Sequence, residues 1–108
     1  NYCRFLLENE IENGTVGTCM EAFRHAHEIL SNTHPEDEKK HYPYKVTGLY
    51  KKFYDKYKDA LTEKELKELK QSCLEMIEKC QSYMNSDDCT NYKLVKETKS
   101  KLEQIIVN

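Results

Sequence analysis

Between Leu66 and Met84 the chain sets Leu66, Leu69, Cys73, Met76, Ile77, Cys80, Tyr83 and Met84 mostly at steps of three and four. That spacing gathers apolar side chains on one stripe of an α-helix, whereas a half-buried strand alternates with a period of two. Thr62-x-x-Glu65 precedes the stripe, and the pair reads as a capping box that satisfies free backbone donors at a helix start. The fourth helix is the firmest of five that the sequence predicts.

The first runs from about Tyr2 to Glu12, with Phe5, Leu6 and Leu7 as its apolar content and Asn13-Gly14 as its stop. The second opens at Thr18, where Thr18-x-x-Glu21 reads as a further capping box, and ends near Asn32. Its inward positions are Cys19, Phe23, Ala26, Ile29 and Leu30. Pro35 and Pro43 oppose helix continuation, so residues 33–45 are expected to be irregular. The third helix spans about Val46 to Ala60, with Leu49, Tyr50, Phe53, Tyr54 and Tyr57 on one broad face. Asn85-Ser86-Asp87-Asp88 is a turn, and the fifth helix runs from it to about Ile106 with Tyr92, Val95, Leu102, Ile105 and Ile106 facing inward. Only three glycines and two prolines occur in 108 residues, which disfavours a sheet joined by tight turns. The expected fold is a single all-α domain over residues 1–108, a small disulfide-stabilised bundle of about five helices. The short fourth-to-fifth connection makes that pair antiparallel.

Five cysteines, Cys3, Cys19, Cys73, Cys80 and Cys89, together with the sequon Asn13-Gly14-Thr15, point to an oxidising, extracellular compartment. Cys73 and Cys80 share a helix face about 10 Å apart along the axis, too far to bridge each other. Cys89 stands where it can reach Cys80 or Cys73, and a bridge from Cys19 to the fourth helix would join the two halves. The odd count leaves one thiol over, and spacing alone does not choose the pairs. As thiols, the same residues would serve as small buried hydrophobes. No Cys-x-x-Cys or paired Cys/His spacing suits zinc. His25 and His27 point to opposite sides of a helix, and His34 and His41 fall in the irregular stretch.

Seventeen basic and nineteen acidic residues leave a net charge of −2, which is no nucleic-acid footprint. No apolar run approaches the ~20 residues of a membrane span. Phosphate-loop, nucleophile-elbow and His-Glu-x-x-His motifs are absent, so the reading is of a non-enzymatic protein without a cofactor. The chain opens at Asn1 without Met or a secretory leader and is read as processed or as a piece of something longer. Five of eight tyrosines lie between 42 and 57, interleaved with lysines. Tyr50, Phe53, Tyr54 and Tyr57 fit a helix core. In a sharper reading, Tyr42, Tyr44, Tyr50 and Tyr54 with Lys45 and Lys51 form an amphipathic ligand surface, because tyrosine rings give contact area at low entropy cost and aromatic grooves accept polyproline-II ligands.

Three stretches carry a family resemblance. They are Tyr2-Cys3-Arg4-Phe5-Leu6-Leu7, the run from Asn13 to Phe23 (Asn-Gly-Thr-Val-Gly-Thr-Cys-Met-Glu-Ala-Phe), and Tyr42-Pro43-Tyr44-Lys45. Together they resemble the C-terminal domain of the mosquito salivary collagen-binding proteins, the aegyptin and anopheline anti-platelet protein family, also known as salivary allergens. The resemblance implies a secreted protein of saliva that binds host collagen. It implies inhibition of platelet adhesion and aggregation by masking sites for glycoprotein VI, integrin and von Willebrand factor. It also implies that this domain follows an acidic, Gly-rich half, and it transfers no binding residue one by one. The chain is expected to act as a monomer, without nucleic acid or membrane insertion. An alternative is an odorant-binding-protein-like salivary carrier for a small amine or lipid. Cys80-x8-Cys89 matches the last cysteine spacing of that fold, although its Cys-x3-Cys pair is missing here.

Overall fold

The Leu66–Met84 register forms one helix in the computed structural model, with Leu69, Cys73, Met76, Cys80 and Tyr83 buried along it. The structure describes residues 2–32, 42–85 and 92–107, of which 2, 3 and 42–45 as backbone. Among these residues there are five helices and no strand: α1 Tyr2–Asn13, α2 Val16–Ser31, α3 Tyr42–Tyr57, α4 Glu63–Met84 and α5 Tyr92–Val107. Thr62 caps α4 as expected: its hydroxyl accepts from the Glu65 amide at 3.1 Å, and the Glu65 carboxylate accepts from the Thr62 amide at 2.9 Å. That hydrogen bond holds the Glu65 carboxyl below its usual range.

The α1–α2 junction differs from the expected one. The second helix starts at Val16, and its capping residue is Thr15 rather than Thr18. Thr15 Oγ1 accepts from the Thr18 amide, and Thr18 Oγ1 accepts from the Thr15 amide at 2.8 Å. Two threonines three apart thus make the reciprocal box, and Thr18 stands inside the helix. Gly14 is required at this corner. A Cβ there would lie 2.6 Å from Thr18 Oγ1 and 2.8 Å from the Glu10 carbonyl oxygen, which also accepts the Gly14 amide.

The third helix begins a full turn earlier than expected, at Tyr42, and ends at Tyr57. Pro43 lies in its first turn, where its missing N–H has no intrahelical partner to lose. Of the irregular stretch, residues 33–41 lie outside the described residues.

Side-chain pairs fix the topology. Phe23 meets Phe53 while His27 meets Tyr50, so α2 and α3 are antiparallel. Arg24–Glu68, His27–Glu75 and Leu30–Lys79 ascend together, so α2 and α4 are parallel. Cys80 and Tyr83 cluster with Val95, which makes α4 and α5 antiparallel as their short connection requires. Lys56 and Tyr57 reach Ile11 and Gly14 at the end of α1, so α1 runs alongside α3 in the same direction. The main core joins Leu7, Cys19, Phe23, Ala26, Tyr50, Phe53, Leu69, Cys73, Leu102 and Ile105. Two inward assignments fail: Ile29 is 36% exposed and Tyr92 50% exposed. Ile29 falls at the edge of the α2 stripe, and Tyr92 heads α5 before the partner helix covers it.

Candidate functional site

The proposed tyrosine surface divides on folding. Tyr50 and Tyr54 are 0% and 4% exposed, which removes both from any ligand surface. Steps of three and four from Val46 through Leu49, Tyr50, Phe53 and Tyr54 put them on the buried face of α3. The Tyr50 ring meets Phe23 edge-on at 4.7 Å, and the half-buried Tyr57 meets Phe53 at 5.8 Å. Lys51 holds Asp55 one turn on, at 2.6 Å and 2.8 Å. The side chains of Tyr42, Tyr44 and Lys45 lie outside the described residues.

A polar chain runs into this aromatic core. His27 Nδ1 is 3.0 Å from the buried Tyr50 hydroxyl, and Nε2 is 2.8 Å from a Glu75 carboxylate oxygen. With Nε2 protonated, the ring donates to Glu75 and Nδ1 can accept from Tyr50. The sequence treated His27 as half of a rejected metal pair with His25 and gave no sign of this link across three helices. Arg24 donates twice to Glu68 on the same seam, and Lys79 donates to the Leu30 and Ser31 carbonyls that close α2. Lys56 similarly donates to the Ile11 carbonyl in the last turn of α1.

Cys19 and Cys73 are fully buried thiols in the main core, so the bridge from Cys19 to the fourth helix is not made. Both behave as small apolar groups. Burial pushes the Cys19 thiol up to about 12, helped by Glu10 and opposed by Lys56, and burial alone pushes Cys73 to about 12. Neither supplies a thiolate near neutral pH. Cys80 is buried beside Tyr83 and Val95, while the Cys3 side chain and Cys89 lie outside the described residues. Asn13 is exposed at the end of α1 and donates to Asn9 Oδ1 at 3.2 Å. Among the described residues, no three or more His, Cys, Asp or Glu side chains gather as metal ligands, and no helix is long and apolar enough to cross a membrane. His34 and His41 lie outside them.

Among the described residues, a groove of about 290 Å³ opens where α1, α3 and α5 meet. Gly48 and Leu49 of α3 and Leu94 and Thr98 of α5 line it together with charged residues from all three helices. These are Arg4 and Glu8 of α1, Lys52 of α3, and Glu97 and Lys101 of α5. A shallower cleft of about 270 Å³ lies between α1 and α2, beside Leu6, Glu10, Thr18, Glu21, Ala22 and His25. Both are open to solvent, whereas a small-molecule carrier needs an enclosed and mostly apolar chamber. The sequence reading missed the groove because three helices distant in the chain build it. Its one local signal was Gly48, an unfavourable residue in a helix interior.

Comparison with family models, curated proteins and solved structures found no match.

Proposed function

We propose that this chain is a secreted, non-enzymatic salivary protein that binds host collagen and masks the sites used by platelet glycoprotein VI, integrin and von Willebrand factor. The observation that carries the reading is the resemblance of three segments, two of which the fold sets side by side. Tyr2–Leu7 and Tyr42–Lys45 form the opening turns of α1 and α3, two helices that run side by side in the same direction. The third segment, Asn13–Phe23, crosses from the end of α1 into α2, which packs on both. Two of the three segments therefore lie together at one end of the bundle, whereas Asn13–Phe23 starts at the other end of α1, beside Tyr57, and places Cys19, Met20, Ala22 and Phe23 in the core. Buried, high-pKa thiols and an open charged groove suit a stoichiometric binder better than a catalyst.

Disulfide stabilisation belongs to the same proposal. Cys19 and Cys73 sit in the main core, and we assign the cross-link to Cys3, Cys80 and Cys89. A Cys80–Cys89 bridge would span the connection between α4 and α5, and Asn13 would carry the glycan. Alkylation of the unfolded, unreduced protein, followed by peptide mapping, is expected to label Cys3, Cys19 and Cys73 and to leave Cys80 and Cys89 unlabelled. Labelling of all five cysteines would remove the disulfide.

The function is tested on immobilised fibrillar collagen. Saturable binding by the monomeric protein is expected, with loss of platelet aggregation triggered by collagen and none of that triggered by an agonist that bypasses collagen. No binding at concentrations far above the platelet-blocking range ends the proposal.

A further inference from the structure

We infer that the groove between α1, α3 and α5 is where one strand of a collagen triple helix lies, an inference that rests on the proposed function and locates its binding site. The first observation is Gly48. A Cβ added there meets nothing within 4 Å, so the α3 backbone is bare toward open space. Glycine is a costly choice within a helix unless something must come close to its backbone. An imino ring of a polyproline-II strand needs such an approach, since that strand has no internal hydrogen bonds and projects its rings outward.

Charge is the second observation. Arg4, Lys52 and Lys101 reach the groove from three different helices, and Glu8 and Glu97 stand one turn from Arg4 and Lys101 on the same helices. Lys52 and Lys101 make no ion pair among the described residues. Both signs of charge along an open trough match a rod that carries acidic and basic side chains in its X and Y positions.

The openness of the trough is the third. Its volume of about 290 Å³ could take several side chains of a rod whose bulk stays outside, but it would not enclose a free ligand. Strand addition to a sheet edge is not available, because the described residues contain no strand.

The test uses the whole chain and two triple-helical peptides, one of Gly-Pro-Hyp repeats alone and one with Glu and Lys placed in the X and Y positions. Gly48→Leu fills the trough. Leucine also favours a helix more than glycine does, so this variant is expected to melt no lower than the parent. Lys52→Glu with Lys101→Glu reverses the unpaired cations, and Lys67→Glu on exposed α4 is the control. The inference expects the parent to prefer the charged peptide. It expects Gly48→Leu to weaken binding to both peptides at least tenfold, and the double reversal to weaken the charged peptide at least tenfold while sparing the uncharged one. The control should be unchanged. A parent that binds fibrillar collagen, with both groove variants binding as tightly, overturns the groove and leaves the function standing. A parent that binds no collagen overturns the function and the groove with it.

Discussion

Phe23 and Val95 are both fully buried, yet they sit in different company. Around Phe23 the core gathers side chains from all five helices, with His27 stacked, Tyr50 edge-on and Phe53 tilted against the ring. Val95 belongs to a satellite of Cys80 and Tyr83, lined by the half-buried Met84 and Leu94 and supplied by α4 and α5 alone. A cavity in a many-sided core cannot collapse easily, whereas a two-helix contact can adjust by a small shift. The centre therefore stands on packing, and the far end is where a covalent tie between α4 and α5 would contribute most.

The largest expected effect follows from that contrast. Phe23→Ala should lose about 3–5 kcal/mol of stability in urea unfolding, and Val95→Ala about 1–2 kcal/mol. Equal losses would erase the distinction between the two regions. Next is Tyr50→Phe, which keeps the ring and removes the partner of His27 Nδ1, at an expected cost of about 1–3 kcal/mol. No loss would mean that water replaces the hydroxyl.

The two core thiols make alkaline pH a further probe of the centre. An unfolded thiol ionises near 9.0, while the folded Cys19 and Cys73 stay neutral up to about 12. Their contribution is fully present below the unfolded value and is lost as pH rises through this window, by roughly 1 kcal/mol per thiol at about pH 10. Cys19→Ala with Cys73→Ala should flatten that slope in a series of melts. An unchanged slope would assign the alkaline loss to other groups. The smallest effect concerns the α2 start. Thr15→Ala should cost about 1 kcal/mol and Glu21→Ala only a few tenths, because Thr15 and Thr18 make the box. The reverse ranking in thermal melts would restore Thr18-x-x-Glu21.

What was legible in the sequence differed from helix to helix. The fourth helix could be read because its cap, stripe and length agree, and Thr62 and Glu65 bond as their spacing requires. The α2 start was misplaced because Thr15 and Thr18 can each cap a helix, and only the reciprocal bonds separate them. Pro43 read as a break, although a helix tolerates proline in its first turn. Tyr50 and Tyr54 fitted a core first and a surface second, since periodicity fixes a face but not what covers it. The groove was not read from the sequence at all, because its charges come from α1, α3 and α5 and meet only in three dimensions.

The two lysines that close helix ends have a consequence for the order in which the chain is made. The Ile11 carbonyl waits for Lys56, 45 residues later, and the Leu30 carbonyl waits for Lys79, 49 residues later. Until the later helices arrive, the ends of the first two hold only their local bonds, from the Gly14 amide to Glu10 and from the Asn32 amide to Ile29. A protease cut between α3 and α4 would separate Lys79 from the backbone it holds and loosen the last turn of α2 without removing any residue from that helix.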